Sequence, residues 1–145
     1  FEELKKNIGD VRFLLIADRP PSFGHNLIEF KKWTIESEIQ DLMEFDIGVM
    51  PLPDDEWTRG KCGFKLLQYM ALGIPAVATP VGVNKSILDP SVGILATTQA
   101  EWLYALMQLI TNLELRKKMG LAGQKKVHTN YSVFSNERNF LNLFA

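Results

Sequence analysis

The stretch "GKCGFK", residues 60 to 65, stands directly before the apolar helical pattern "LLQYMALGIP". Gly60 and Gly63 carry no side chain to shield the backbone, and Lys61 and Lys65 add positive charge. A helix start has unpaired N–H groups and a partial positive charge. The combination suits an anion, and a diphosphate is the natural guest. Close packing at Gly63, with both lysines solvated, accounts for the same residues, and spacing alone leaves the two readings open. Cys62 has the setting that lowers a thiol pKa, a helix start flanked by lysines. Neither histidine is near it in sequence, so a small semi-buried cysteine is the ordinary reading.

Other candidates are weaker. "TPVG" (79–82) repeats the strand, glycine and helix order but reads as a plain turn. His25 sits in a Gly/Asn loop and His128 in a basic helix, and with one cysteine there is no metal-ligand spacing. Asp54, Asp55 and Glu56 read as a solvated acidic turn or, second, as groups that order a sugar hydroxyl. Trp102, Leu103, Leu106, Met107 and Ile110 form a helix stripe that covers a sheet. "LRKKMG" (115–120) reads as a solvated face rather than a nucleic-acid patch.

The elements that must position these residues alternate. Short apolar runs at 11–17, 27–33, 46–52, 75–80 and 92–96 read as strands, and that at 27–33 as one near a sheet edge. Helical patterns cover 1–7, 35–45, 62–72, 83–88, 99–112, 113–129 (broken near Gly120 and Gly123) and 133–144, with Ser132 as N-cap of the last. Ile35, Ile39, Leu42 and Met43 fall on one stripe of the second helix. Such alternation predicts an α/β fold with a parallel sheet. The helix at 62–72 follows a strand and a loop, which puts its start at the carboxyl edge, where open α/β sheets bind ligands.

At 145 residues and 46% hydrophobic, the chain is of one-domain size and needs no disulfide or metal staple. One cysteine favours a reducing compartment. A net charge of −1 gives no global basic field for nucleic acid. The longest apolar runs are too short to span a bilayer. The chain begins without Met inside a helical pattern and reads as a piece of something longer.

The run from "FDIGVMPLPDD" through "GKCGFKLLQYMALGIPAVATPVG" to "GILA", with "YS" at 131–132, resembles the C-terminal domain of GT-B glycosyltransferases of the group 1 or family 4 type. The resemblance implies a single Rossmann-like, doubly wound domain over 1–145 that binds a nucleotide-diphosphate sugar. Gly60, Lys61, Cys62, Gly63, Phe64 and Lys65 would lie against the sugar and diphosphate, largely through backbone N–H groups. Two family glutamates, on the sugar and on the ribose, fall on Gly60 and Gln68, so both carboxylates are absent. Gln68 retains an amide that can hydrogen-bond a ribose diol. The nucleobase would lie near Trp33 and Thr34, where Trp33 either stacks on it or shields the sheet edge. The implied reaction moves a sugar to an acceptor with retention, in the cytoplasm or peripheral to a membrane, without metal or cofactor. The acceptor, a glycan or lipid-linked sugar, would be held by an N-terminal domain outside this chain.

The family's first strand would precede Phe1. Its absence leads to the expectation that 11–17 pairs directly with 46–50, or that another segment or chain supplies the strand. An unpaired edge is also a route to self-association, and residues 1–145 alone should be catalytically silent. Two other readings fit less well. A GT-B sugar-nucleotide epimerase would bring further acid/base groups. A non-enzymatic doubly wound binding or signalling module would bring an acidic cluster after its first strand, where Asp18 stands alone.

Overall fold

The computed structural model describes residues 2–22 and 26–144. His25 lies outside them. The chain divides into two compact units, one through Phe45 and one from Asp46. In the first, helix α1 (Glu2–Ile8) buries Leu4 and ends at Gly9, which donates its N–H to Lys5 O at 2.9 Å and, at φ 85°, turns the chain out of the helix. Strand β1 (Phe13–Ala17) pairs in parallel with β2 (Ile28–Lys32), with Phe13 opposite Ile28 and Ala17 opposite Lys32. Helix α2 spans only Glu38–Leu42. Of the stripe expected there, Leu42 is buried while Ile35, Ile39 and Met43 are exposed.

Charge orders this unit. Lys31 Nζ lies 2.5 Å from Asp41 Oδ1 and 2.5 Å from Glu44 Oε1, and Arg12 pairs with Glu29 at 2.9 Å. Asp41 is buried, and its carboxyl is held below the usual range by Lys31 and then by Ser37, which donates to it at 2.7 Å.

The second unit carries a three-stranded parallel sheet, β3 (Gly48–Met50), β4 (Ala76–Ala78) and β5 (Gly93–Leu95), in that order. Its central strand β4 is wholly buried. Helices α3 (Glu56–Arg59) and α4 (Phe64–Ala71) follow β3, α5 (Asn84–Ile87) follows β4, and α6 (Gln99–Thr111), α7 (Leu113–Asn130) and α8 (Val133–Leu141) follow β5. Ser132 caps α8, accepting from Ser135 N–H at 3.1 Å. The ladder of β1 is with β2 and that of β3 with β4, so the expected direct pairing of 11–17 with 46–50 is not formed.

Helix α7 runs unbroken through Gly120 and Gly123, contrary to the expected interruption. A Cβ on Gly120 would lie 2.1 Å from Gly73 O, and one on Gly123 would lie 3.3 Å from Met70 Cβ. These glycines let α7 approach α4 rather than end it. The "LRKKMG" segment is likewise not all solvated face. Met119 is buried, and Arg116 turns inward to donate to Leu109 O at 2.7 Å and Ile110 O at 2.9 Å, closing the carboxyl end of α6.

No helix among the described residues is long and apolar enough to cross a membrane. No three His, Cys, Asp or Glu side chains among them are grouped to hold a metal ion.

Candidate functional site

Three loops leave the carboxyl edge of β3–β4–β5, and hydrogen bonds tie two of them together. Leu52 N–H donates to Thr79 Oγ1 at 2.8 Å, and Thr79 N–H donates to Met50 O at 3.2 Å. Asn84, only 1% exposed, donates from Nδ2 to Thr79 O at 2.9 Å and so anchors α5 to the end of β4. Buried polar groups are tolerated when paired in this way. The motif "TPVG" is therefore more than a turn. Gly82, at φ 53°, passes so close to α3 that a Cβ would lie 2.6 Å from Arg59 O.

Helix α3 is absent from the sequence expectations, which read Asp54, Asp55 and Glu56 as an acidic turn. Asp55 accepts from Thr58 N–H at 2.7 Å, and the Thr58 hydroxyl accepts from Asp55 N–H at 3.2 Å, a reciprocal capping box. The Thr58 hydroxyl also reaches Pro53 O at 2.5 Å. Asp54 accepts from Arg59 Nε at 2.7 Å. Backbone and hydroxyl of Thr58 hold the Asp55 carboxyl below its usual range, and Arg59 does the same for Asp54. Two carboxylates of the acidic turn are thus engaged in building α3.

The chain then passes Gly60, Lys61 and Cys62, all exposed, into Gly63, the N-cap of α4. Gly63 is buried in the left-handed region, at φ 67° and ψ 18°. A Cβ there would lie 2.4 Å from Ile87 Cδ1 and 3.1 Å from Val83 Cγ2. Both reasons for glycine act at once, backbone conformation and close packing on α5. No side chain caps α4, whose start lies beside the loop that leaves β4. Phe64 and Lys65 are exposed at that start.

The rest of α4 is an anchor. Leu66 and Met70 are fully buried, and the Tyr69 ring occupies the space over Gly48, where a Cβ would lie 2.3 Å from Cδ2. Burial pushes the Tyr69 phenol up to about 12. Gln68 is half-buried on the same helix, with Oε1 shut off from solvent. Lys126 of α7 donates to Ile87 O at 2.8 Å and Asp89 Oδ2 at 2.7 Å, pinning the end of α5.

The other two candidate residues belong to the first unit. Trp33 extends the β1–β2 ladder, donating its N–H to Ala17 O at 2.9 Å, and its side chain is partly exposed. The Thr34 hydroxyl shares a 2.9 Å hydrogen bond with Ser37 Oγ and accepts from Ser37 N–H at 3.2 Å, closing the turn into α2.

A model of the glycosyl transferases group 1 matches residues 1–112. No curated protein sequence gives a significant match. Among solved structures, a mutant of S. aureus TarM in complex with fondaparinux, alpha-GlcNAc-glycerol and UDP superposes with a TM-score of 0.73 at 19% identity, over 99% of this chain and 31% of that one. Sucrose-phosphate synthase from Thermosynechococcus elongatus gives a TM-score of 0.73 at 13% identity, over 98% of this chain and 40% of that one. At such identities the likeness is one of fold. The chain spans 31–40% of the length of these neighbours.

Proposed function

The chain belongs to the glycosyl transferases group 1, and from that premise we propose that it is the donor-binding part of an enzyme moving a sugar from a nucleotide-diphosphate sugar to an acceptor, with retention. The observation that carries this reading is Gly63, left-handed, uncapped by any side chain and placed where α4 begins beyond the carboxyl end of β3. A helix start of this kind offers oriented N–H groups to an anion. Lys61 and Lys65 bring charge that grows in value as the diphosphate departs. Gly60, Cys62 and Phe64 complete the donor-facing segment through their backbone. The nucleotide sugar is substrate, and the reaction calls on no metal or further cofactor. The acceptor, a glycan or lipid-linked sugar, would be held by a separate domain of the parent protein.

Gln68 is the proposed ribose contact, through the side-chain amide it retains. In the first unit Trp33, beside Thr34, is proposed either to stack on a nucleobase or to shield the sheet edge. In the parent enzyme Gln68→Ala should weaken donor binding by about 0.5–1.5 kcal/mol, the net scale of a hydrogen bond. Isothermal titration with nucleotide sugars checks it, and unchanged affinity would remove the ribose role.

A further inference from the structure

Trp57 is 81% exposed, an unusual state for the largest side chain of the twenty. Its helix is not loose. α3 is closed by the Asp55–Thr58 capping box, by the Asp54–Arg59 pair and by Gly82 lying against its last carbonyl. The indole is therefore held on a rigid turn with nothing from its own helix covering it. Three residues on stands Gly60, and positions i and i+3 share a helix face. Gly60 has φ −79° and ψ −5°, which any residue adopts, and a Cβ there would meet nothing closer than Trp57 O at 3.5 Å. Neither backbone conformation nor packing calls for glycine. Its effect is to leave open space at the end of α3, three residues beyond Trp57.

An exposed aromatic ring on a capped helical turn, with open space at Gly60, fits a flat, partly apolar ring. The C–H face of a pyranose is such a ring, and it stacks on the negative π-face of an indole. We infer that Trp57 is the platform for the donor's pyranose ring, with Gly60 providing the space it occupies. This rests on the donor reading of residues 60–65 and adds a determinant of sugar recognition to it. The indole would sense the sugar, while the helix start senses the diphosphate.

The test uses the full parent protein and calorimetric titration with UDP, GDP and ADP, each free and as its glucose conjugate. One nucleotide series should bind. Trp57→Ala should weaken the conjugate about three- to tenfold and leave the free diphosphate unchanged. Trp57→Phe should retain most of the conjugate's affinity, and Gly60→Gln, which fills that space, should reproduce the loss. Equal affinity of Trp57→Ala and wild type for the conjugate overturns the platform and leaves the donor reading standing. Equal weakening of conjugate and free diphosphate overturns it as well, since the indole would then not act through the sugar. Binding of no ligand by the wild type overturns both.

Discussion

Gly60 and Gly63 stand three residues apart and answer to different constraints. At Gly63 a methyl group meets both a left-handed backbone and the Ile87 side chain, so Gly63→Ala should destabilise the fold by about 2 kcal/mol or more. Gly60→Ala should change stability by less than about 0.5 kcal/mol. Urea unfolding of the two variants checks the pair, and equal losses would refute the assignment. That something special occurs at 60–65 was legible, because glycines and lysines before an apolar helix are visible as residue types. The reason for each glycine was not, since φ and the nearness of α5 arise only on folding. Asn84 left no signal, as a lone Asn in a one-turn helix has no periodicity to betray its bond to Thr79 O. Arg116 was hidden in a charged run, where nothing local tells which side chain turns inward to cap α6.

Elements were legible where they are long or apolar. All five strands and the helices α4, α6 and α8 fall inside the expected segments, with frayed ends trimmed by a few residues. Helix α3 escaped because four residues cannot show a 3.6-residue period; the Asp55 and Thr58 spacing was its only trace. The glycines of α7 misled for the opposite reason, since glycine weakens an isolated helix yet here admits α4. On an open helix face Gly→Ala gains up to about 1 kcal/mol. Gly120→Ala should instead lower stability by more than about 2 kcal/mol, because its methyl would collide with Gly73 O. A thermal melt showing stabilisation would contradict the packing of α4 on α7.

The link between α7 and the end of α5 is sensitive to acid. Lys126, then Ser91, lowers the Asp89 pKa to about 2. Because the folded value lies below the unfolded one, near 3.9, the contribution is complete above that unfolded value and is lost as pH falls toward 2. Asp89 is half exposed, so solvent screening keeps it small. Asp89→Asn should flatten the stability profile between about pH 4 and pH 2, and an unaltered acid limb would refute the linkage.

Over the whole molecule, the alternation of apolar runs and helical patterns was enough for a parallel α/β fold. The partition of strands into the pairings β1–β2 and β3–β4–β5 was not legible, because runs of equal apolar character do not say which neighbour each will take. Residues 1–145 by themselves should transfer no sugar, which an assay of donor consumption can establish. The central claim is that the carboxyl edge of β3–β4–β5 at residues 60–65 receives the nucleotide diphosphate. It is tested most directly by following backbone amide resonances of the labelled parent protein during titration with nucleotide sugars. The account predicts that the largest shifts fall on Lys61 to Lys65 and on the adjoining Val81 to Asn84. Shifts confined to the amino ends of the same strands, around Ile47, Ile74 and Val92, would contradict it.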